Sequence, residues 1–183
     1  MSLDSLPESI ALDRLNMKRV QVLKALEGLR DALAGQTIEV GQVMTAAPVC
    51  VPPKTTVPEL VEIFHERGFR HLLVTGDQGQ LLGVISDRDV LRTMGPGTAY
   101  KEVLCGIEAG ELMSTDLVMA TPRMPVTEAI VALVDHGISC LPVVDGAALV
   151  GILTNTDLHV LLQMLLETVR LTVSEQSLST HPR

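Results

Sequence analysis

Two short stretches of the chain share a pattern of polar residues that could bind a phosphorylated sugar. Residues 83–89 read Gly-Val-Ile-Ser-Asp-Arg-Asp, and residues 151–157 read Gly-Ile-Leu-Thr-Asn-Thr-Asp. In each stretch a hydroxyl residue precedes an aspartate by three positions. A carboxylate has two acceptor oxygens and no donor, so it can bridge the neighbouring hydroxyls of a ribose. If a helix begins at the hydroxyl residue, its free N–H groups and its dipole favour a phosphate nearby.

The same pattern also has a purely structural explanation. Ser86 with Asp89, and Thr154 with Asp157, have the spacing of a capping box, in which side chains satisfy the backbone N–H groups at a helix start. A capping box requires no ligand, and for a single copy this explanation is sufficient. The case for a binding site therefore depends on the residues around both copies.

Both stretches belong to an internal repeat. Residues 43–45 (Val-Met-Thr) correspond to residues 112–114 (Leu-Met-Ser), 69 positions later. One deletion in the second copy then aligns Gly83 with Gly151, 68 positions later. Neither copy is long enough to form a stable core alone. We therefore expect the two copies to pack sheet against sheet with pseudo-twofold symmetry, which would create two equivalent clefts.

Apolar periodicity and turn residues predict the order β-α-β-β-α in each copy. A helix with one apolar face is predicted over residues 57–68 and again over 126–137, each ending at a glycine. The predicted strands cover residues 49–51, 71–75 and 81–85, then 118–120, 141–144 and 148–153. The closing helix is short in the first copy, where Gly-Pro-Gly follows at residues 95–97, and extends to about Val173 in the second.

The N-terminal part of the chain precedes the repeat. From residue 9 to residue 34, leucines and a valine recur at alternating three- and four-residue steps, which predicts an amphipathic helix. This helix either packs on its own domain or forms a short seam with a second subunit. The predicted divisions are an N-terminal helix (1–36), a first repeat (37–94), a linker (95–108), a second repeat (109–173) and a flexible tail (174–183).

The composition limits the partners and the compartment. The formal net charge is −8 and the sequence pI is about 5.0, which argues against nucleic acid and against an anionic membrane as partners. A small anion held by a few local cations remains compatible with this charge. Three widely spaced cysteines predict reduced thiols and a cytoplasmic protein, with neither a disulfide framework nor a metal site. No signal peptide or membrane-spanning segment is expected.

The tandem repeat resembles the cystathionine-β-synthase (CBS) domain pair, or Bateman module, over about residues 37–172. The likeness is carried by Met-Thr at 44–45, Met-Ser at 113–114, the strand at 137–145 and the turn at 86–89. It implies an α+β fold of two β-α-β-β-α repeats and a homodimer. It also implies an adenosyl ligand, such as AMP, ADP or ATP, bound in the clefts as a regulatory molecule, with no cofactor required.

The resemblance also implies a role for each candidate residue. Asp89 and Asp157 would accept hydrogen bonds from ribose hydroxyls, and Ser86 and Thr154 would contact ribose or phosphate. The other implied contacts are phosphate at Arg70, His71 and Arg88, the adenine edge at the backbone around Val49, Val51, Val118 and Ala120, and the base itself at Leu72 and Leu141.

The two copies differ in charge at matched positions, so their clefts are not expected to be equivalent in binding. The first copy has Arg70, His71 and Arg88, where the second has Ser139, Cys140 and Thr156. We therefore expect the first copy to supply the main phosphate contacts. The second cleft would then hold a neutral adenosyl group or stay empty.

Three classes of function follow from these features. The leading hypothesis is a non-catalytic sensor whose occupancy changes the dimer geometry and is relayed to a regulated protein that the sequence does not identify. The alternative is a ligand-free dimerisation or docking scaffold, in which the capping boxes only hold helices. An enzyme is disfavoured, because the sequence contains no paired nucleophile and base, no metal-ligand cluster and no glycine-rich phosphate loop.

Overall fold

The predicted order of a helix, two strands and a closing helix occurs twice along the chain, and a short helix that was not predicted precedes each copy. The computed structural model describes residues 37–93 and 106–179. The elements of the first repeat are α1 (Val40–Val43), β1 (Thr45–Ala46), β2 (Cys50–Val51), α2 (Val57–Arg67), β3 (His71–Thr75), β4 (Leu81–Ser86) and α3 (Asp87–Thr93). Those of the second are α4 (Ala109–Leu112), α5 (Val126–Asp135), β5 (Cys140–Asp145), β6 (Ala148–Thr154) and α6 (Asn155–Ser179).

Local signals account for the bounds of the longer helices. Helix α2 begins after Thr56, whose backbone N–H and side-chain hydroxyl both donate to Glu59 Oε2 at 2.7 Å. It ends at Gly68, which has a left-handed φ of 64° that glycine adopts without strain. Helix α5 is likewise followed by Gly137 with φ 63°. The predicted helices at 57–68 and 126–137 are therefore confirmed to within a residue or two.

Some predicted elements differ from the structure or lie outside it. The predicted strand at 118–120 is reduced to one parallel bridge between Ala120 and Val143. Helix α6 continues to Ser179, beyond the predicted end at Val173 and into the predicted flexible tail, because no glycine or proline interrupts residues 155–181. The predicted helix at 9–34 and residues 95–105 of the predicted linker lie outside the described residues.

The strands form two three-stranded sheets, one built from the first repeat alone and the other combining strands of both repeats. In one sheet the order is β2-β3-β4, with β2 parallel and β4 antiparallel to β3. In the other the order is β1-β6-β5, so that β1 of the first repeat pairs with β6 of the second, Thr45 opposite Ile152. The reciprocal contact joins Ser114 of the second repeat to Val84 in β4. This exchange produces the pseudo-twofold arrangement expected from the repeat.

The short helices α1 and α4 are exchanged together with these strands. Val40 of α1 is fully buried in the core of the second repeat, and Ala109 of α4 is fully buried in the core of the first. Backbone hydrogen bonds hold both, from Val40 N–H to Met124 C=O at 2.9 Å and from Ala109 N–H to Thr55 C=O at 2.8 Å. Each repeat therefore completes its core with a segment that comes from the other.

A third cluster of apolar side chains joins the two sheets face to face. Its buried members are Leu73 of one sheet and Cys140 and Ile152 of the other. The expected packing of sheet against sheet is therefore confirmed. Residues Ile38–Glu167, which contain both repeats, form one compact unit.

Candidate functional site

Two cavities lie between the repeats, and each is built from both of them. The first has a volume of about 220 Å³ and combines the hydroxyl–aspartate turn of the first repeat with the segments around Ser114 and Ser139 of the second. Its lining side chains that could contact a polar ligand are His71, Ser86, Arg88, Asp89, Arg92, Ser114, Asp116 and Ser139. We call this cavity A.

The second cavity repeats the arrangement with the roles of the repeats reversed. It has a volume of about 240 Å³ and combines the hydroxyl–aspartate turn of the second repeat with the segments around Thr45 and Arg70 of the first. Its residues are Thr45, Gly68, Phe69, Arg70, His71, Ile152, Thr154, Thr156 and Asp157. We call this cavity B. The two cavities realise the pair of clefts predicted from the repeat.

In cavity A, Ser86 and Asp89 form the predicted capping box. Asp89 Oδ2 accepts hydrogen bonds from the backbone N–H of Ser86 at 2.9 Å and from its hydroxyl at 2.6 Å. The other carboxylate oxygen, Oδ1, lies 3.3 Å from Arg92 Nη1. The side chain of Arg92 is 78% exposed, so this ion pair is weak and can be replaced by another partner. Asp89 thus uses one oxygen for the helix and presents the other to the cavity.

In cavity B, Thr154 and Asp157 form the same capping box but the second oxygen has a different partner. Asp157 Oδ2 accepts from the Thr154 backbone N–H at 2.7 Å and from its hydroxyl at 2.6 Å. Asp157 Oδ1 accepts a hydrogen bond from the hydroxyl of Thr45 at 2.9 Å. Because Thr45 lies on the exchanged strand β1, this bond joins the two repeats at the cavity. Thr45 therefore occupies one of the two acceptor positions of Asp157 Oδ1, and one remains for a ligand.

His71 lies between the cavities and lines both of them. Its Nε2 is 2.8 Å from the hydroxyl oxygen of Ser139, which also accepts a hydrogen bond from Arg88 Nη2 at 3.1 Å. Burial, followed by the charge of the neighbouring Arg70, lowers the pKa of His71 below its ordinary value.

The structure brings together most of the polar candidates, although it divides them differently from the prediction. Ser86, Asp89, Arg88, His71 and Val118 line cavity A. Arg70, His71, Thr154 and Asp157 line cavity B. The predicted phosphate ligands of the first copy are thus divided between the cavities, with Arg88 in A, Arg70 in B and His71 in both. Arg70, which directly precedes β3, lines cavity B, whereas Arg88, in the first turn of α3, lines cavity A.

Of the apolar candidates, Val118 lines cavity A, and the other five line neither cavity. The side chains of Leu72 and Leu141 are fully buried in the cores of the two repeats and line neither cavity, so the expected contact of these leucines with a base is not available to them. Val51 and Ala120 are also buried in these cores, and Val49 packs against the first of them. Alternation along a strand explains the outcome, since side chains beside a cavity residue point to the opposite face.

Several lining residues were not assigned to the site from the sequence. Arg92 is one, although its position three residues after Asp89 on a helix is a recognisable signal. Ser114, Asp116 and Thr45 are others, and they reach the cavities only because the segments that carry them are exchanged between repeats. No local pattern indicates that exchange.

Residues 37–93 and 106–179 contain no group of three or more histidine, cysteine, aspartate or glutamate side chains placed to hold a metal ion. Within the same ranges, every helix is too short or too polar to span a membrane.

Comparison with known proteins identifies the family. The model of the CBS domain matches the chain twice, at residues 40–95 and 109–163, which is well over half of its length. The chain therefore belongs to the CBS domain family and contains a pair of CBS domains, as the sequence motifs had suggested. Its repeats are the two domains, and the cavities lie between them.

Individual relatives agree with this assignment. The CBS domain-containing protein YhcV of Bacillus subtilis is 34% identical over 118 residues, which cover 64% of this chain and 80% of that protein. An uncharacterized protein of Methanopyrus kandleri is 29% identical over 125 residues, and the match spans 62% of its length, less than two thirds. A solved structure, that of CBSX2 in complex with AMP, superimposes with a TM-score of 0.59. Its sequence is 29% identical to this chain, and the match covers 69% of this chain and 97% of CBSX2.

Proposed function

We propose that this chain is a non-catalytic regulatory module that binds an adenosyl ligand, such as AMP, ADP or ATP, in the cavities between its CBS domains. The observation that carries the proposal is the pair of capping boxes, Ser86 with Asp89 and Thr154 with Asp157, which we call the hydroxyl–aspartate corners. Each faces a cavity that also contains an arginine. The relative CBSX2 was crystallised with AMP, which supports an adenine nucleotide as the ligand class.

In cavity A the proposed contacts follow from the free hydrogen-bonding groups. Asp89 Oδ1 accepts hydrogen bonds from ribose hydroxyls after displacing the exposed Arg92, and Ser86 lies beside it. The displaced Arg92 and Arg88 then bind the phosphate, for which a guanidinium is well suited. The backbone around Val118 would read the adenine edge.

Cavity B has the weaker set of charged contacts. Arg70 is the arginine among its lining residues, whereas cavity A has Arg88 and Arg92. In addition, Thr45 already occupies one acceptor position of Asp157 Oδ1. We therefore propose that cavity A has the higher affinity for a phosphorylated ligand and that cavity B fills second. Both volumes lie slightly below the range of about 300–1,000 Å³ that is usual for small-molecule sites, so part of a bound nucleotide would protrude into solvent.

The test compares two capping boxes that have the same geometry but different surroundings. Asp89→Asn weakens the corner at cavity A, whereas Glu59→Gln weakens the box of Thr56 and Glu59, which lines neither cavity. Both variants lose part of a helix cap, worth about 1 kcal/mol. Isothermal titration with AMP, ADP and ATP should show at least a tenfold loss of affinity for Asp89→Asn and none for Glu59→Gln.

Thermal unfolding gives a second readout for the same variants. A ligand present at a hundred times its dissociation constant should stabilise the wild-type protein by about 2.7 kcal/mol. Absence of binding by AMP, ADP, ATP and S-adenosylmethionine to the wild-type protein would refute the proposal. Equal losses of affinity in Asp89→Asn and Glu59→Gln would show that Asp89 affects binding only by stabilising the fold.

We also propose that the module works as a homodimer, relays occupancy to a regulated protein and is cytoplasmic. Apolar side chains remain exposed on two helices, with Val131 of α5 at 49%, Leu162 of α6 at 53% and Leu166 of α6 at 53%. Such exposure favours an interface over a solvated surface. Sedimentation velocity should give a dimer mass that falls to a monomer mass in Leu162→Glu with Leu166→Glu. A wild-type monomer would remove this part of the proposal.

A further inference from the structure

One imidazole forms part of the wall of both cavities. His71 begins strand β3 and lines cavity B beside Arg70, while its Nε2 reaches the hydroxyl of Ser139 in the wall of cavity A. Because Arg88 also donates to that hydroxyl oxygen, a chain of hydrogen bonds runs from the edge of cavity B into cavity A.

The hydrogen positions in this chain depend on the protonation state of His71. A neutral imidazole with its proton on Nδ1 accepts the hydroxyl hydrogen of Ser139 at Nε2. A protonated imidazole donates from Nε2, so the Ser139 oxygen then accepts from both His71 and Arg88. The hydroxyl hydrogen of Ser139 is thereby released and can donate to a ligand in cavity A.

We propose that His71 and Ser139 couple the two cavities, so that an anionic ligand in one cavity strengthens the binding of an anionic ligand in the other. This inference rests on the proposed function, since it requires a phosphorylated ligand at both sites. An anion in either cavity favours the imidazolium through its charge. Once the first ligand has drawn in the proton, the second binds beside an imidazolium that is already positive.

The charges around His71 determine the sign of the pH dependence. Arg70 and Arg88 oppose its protonation, Asp87 and Asp89 favour it, and burial opposes it most strongly. The groups in the cavities beyond these are Arg92 and Asp116 in A and Asp157 in B. Since the pKa of the free protein's His71 is lowered, the imidazole is mainly neutral at neutral pH, and binding of an anion takes up a proton.

The coupling should therefore pass through a maximum as the pH changes. At low pH His71 is protonated before any ligand binds, and at high pH it stays neutral even with ligand, so neither limit shows coupling. If each phosphate favours the imidazolium about tenfold, the affinity of the second site rises about threefold at the maximum. Adenosine, which has no phosphate, should show no such maximum.

The experiment is isothermal titration of the full chain with AMP and with adenosine between pH 5.5 and 8. Repeating each titration in buffers of different ionisation enthalpy measures the proton taken up per AMP. His71→Gln should abolish the pH-dependent coupling, whereas Ser139→Ala, which removes the hydroxyl and keeps the imidazole, should weaken it. His65→Gln, which changes an exposed histidine of α2 outside both cavities, should leave it unchanged. As a check independent of these variants, the NMR titration of the His71 ring in the wild-type protein should shift to higher pH with AMP.

The outcomes separate this inference from the proposed function. Binding of AMP with a coupling that peaks with pH, together with proton uptake, supports both. Binding at two independent sites, binding at one site only, or coupling that persists in His71→Gln overturns the inference and leaves the proposed function intact. Absence of AMP and adenosine binding overturns the two together.

Discussion

A glycine-to-alanine substitution at the junction of the two CBS domains gives a sensitive test of the exchanged architecture. A Cβ added at Gly83 in β4 would lie 2.6 Å from Sδ, 2.7 Å from Cγ and 2.8 Å from Cβ of Met113. The last of these atoms cannot rotate away, so the exchanged segment that carries Met113 would have to shift. Overpacking of this kind costs about 1–3 kcal/mol. Alanine in a strand regains about 0.5–1 kcal/mol relative to glycine, so we expect a net loss of about 1–2 kcal/mol for Gly83→Ala.

The assay is urea unfolding at equilibrium, with the slope m used to check that the unfolded state is unchanged. In the background of Met113→Gly, which removes all three close atoms, the same substitution should become neutral or stabilising. The double-mutant cycle should then give a coupling energy of about 2 kcal/mol. Gly106→Ala is the matched control, because a Cβ there meets no atom within 4 Å. If Gly83→Ala behaved like this control, or were equally destabilising with and without Met113, the exchanged contact would be refuted.

Three further predictions concern single groups at the cavities and between the sheets. Thr45→Val should lower the free energy of unfolding by about 0.5–1 kcal/mol, because it removes the hydrogen bond to Asp157. Thr45→Ser keeps the hydroxyl and should not; equal stability of the wild type and both variants in urea would contradict this. Burial raises the pKa of Cys140 to about 12, so at pH 8 iodoacetamide should label the exposed Cys50 much faster than Cys140. Peptide mass spectrometry resolves the two sites, and faster labelling of Cys140 would show that the sheets open. Since the pKa of His71 is lowered on folding, the unfolded state binds more protons below about pH 6.5, and wild-type stability should fall there as the pH decreases. His71→Gln should lack that part of the decrease in urea unfolding, and an identical pH profile would contradict the assignment.

The sequence was most informative where the structure depends on neighbours along the chain. The ends of α2 follow from Thr56, Glu59 and Gly68, all within or next to the helix. The capping boxes at Ser86 and Thr154 were visible for the same reason, because both partners lie three residues apart. Local hydrogen bonds are encoded by spacing, so spacing reveals them.

The packing of two methionines shows what the local sequence does not reveal. Met44 packs against Gly151 and Met113 packs against Gly83. The sequence also showed both glycines as part of the repeated stretch. That each glycine makes room for a methionine of the other repeat could not be deduced, since nothing in the spacing indicates which repeat a segment joins.

The chain's order of residues by itself determined the repeat, the helices and strands of each CBS domain and the two hydroxyl–aspartate corners. Only the tertiary structure decided which residues share a cavity with each corner. It places Arg70 with Asp157 in cavity B and Arg88 with Asp89 in cavity A, and His71 lies between the two cavities. The reason is physical. The corners are held by contacts between near neighbours, whereas the cavities arise from burying apolar surface between segments about 70 residues apart, and that burial depends on shape across the whole interface.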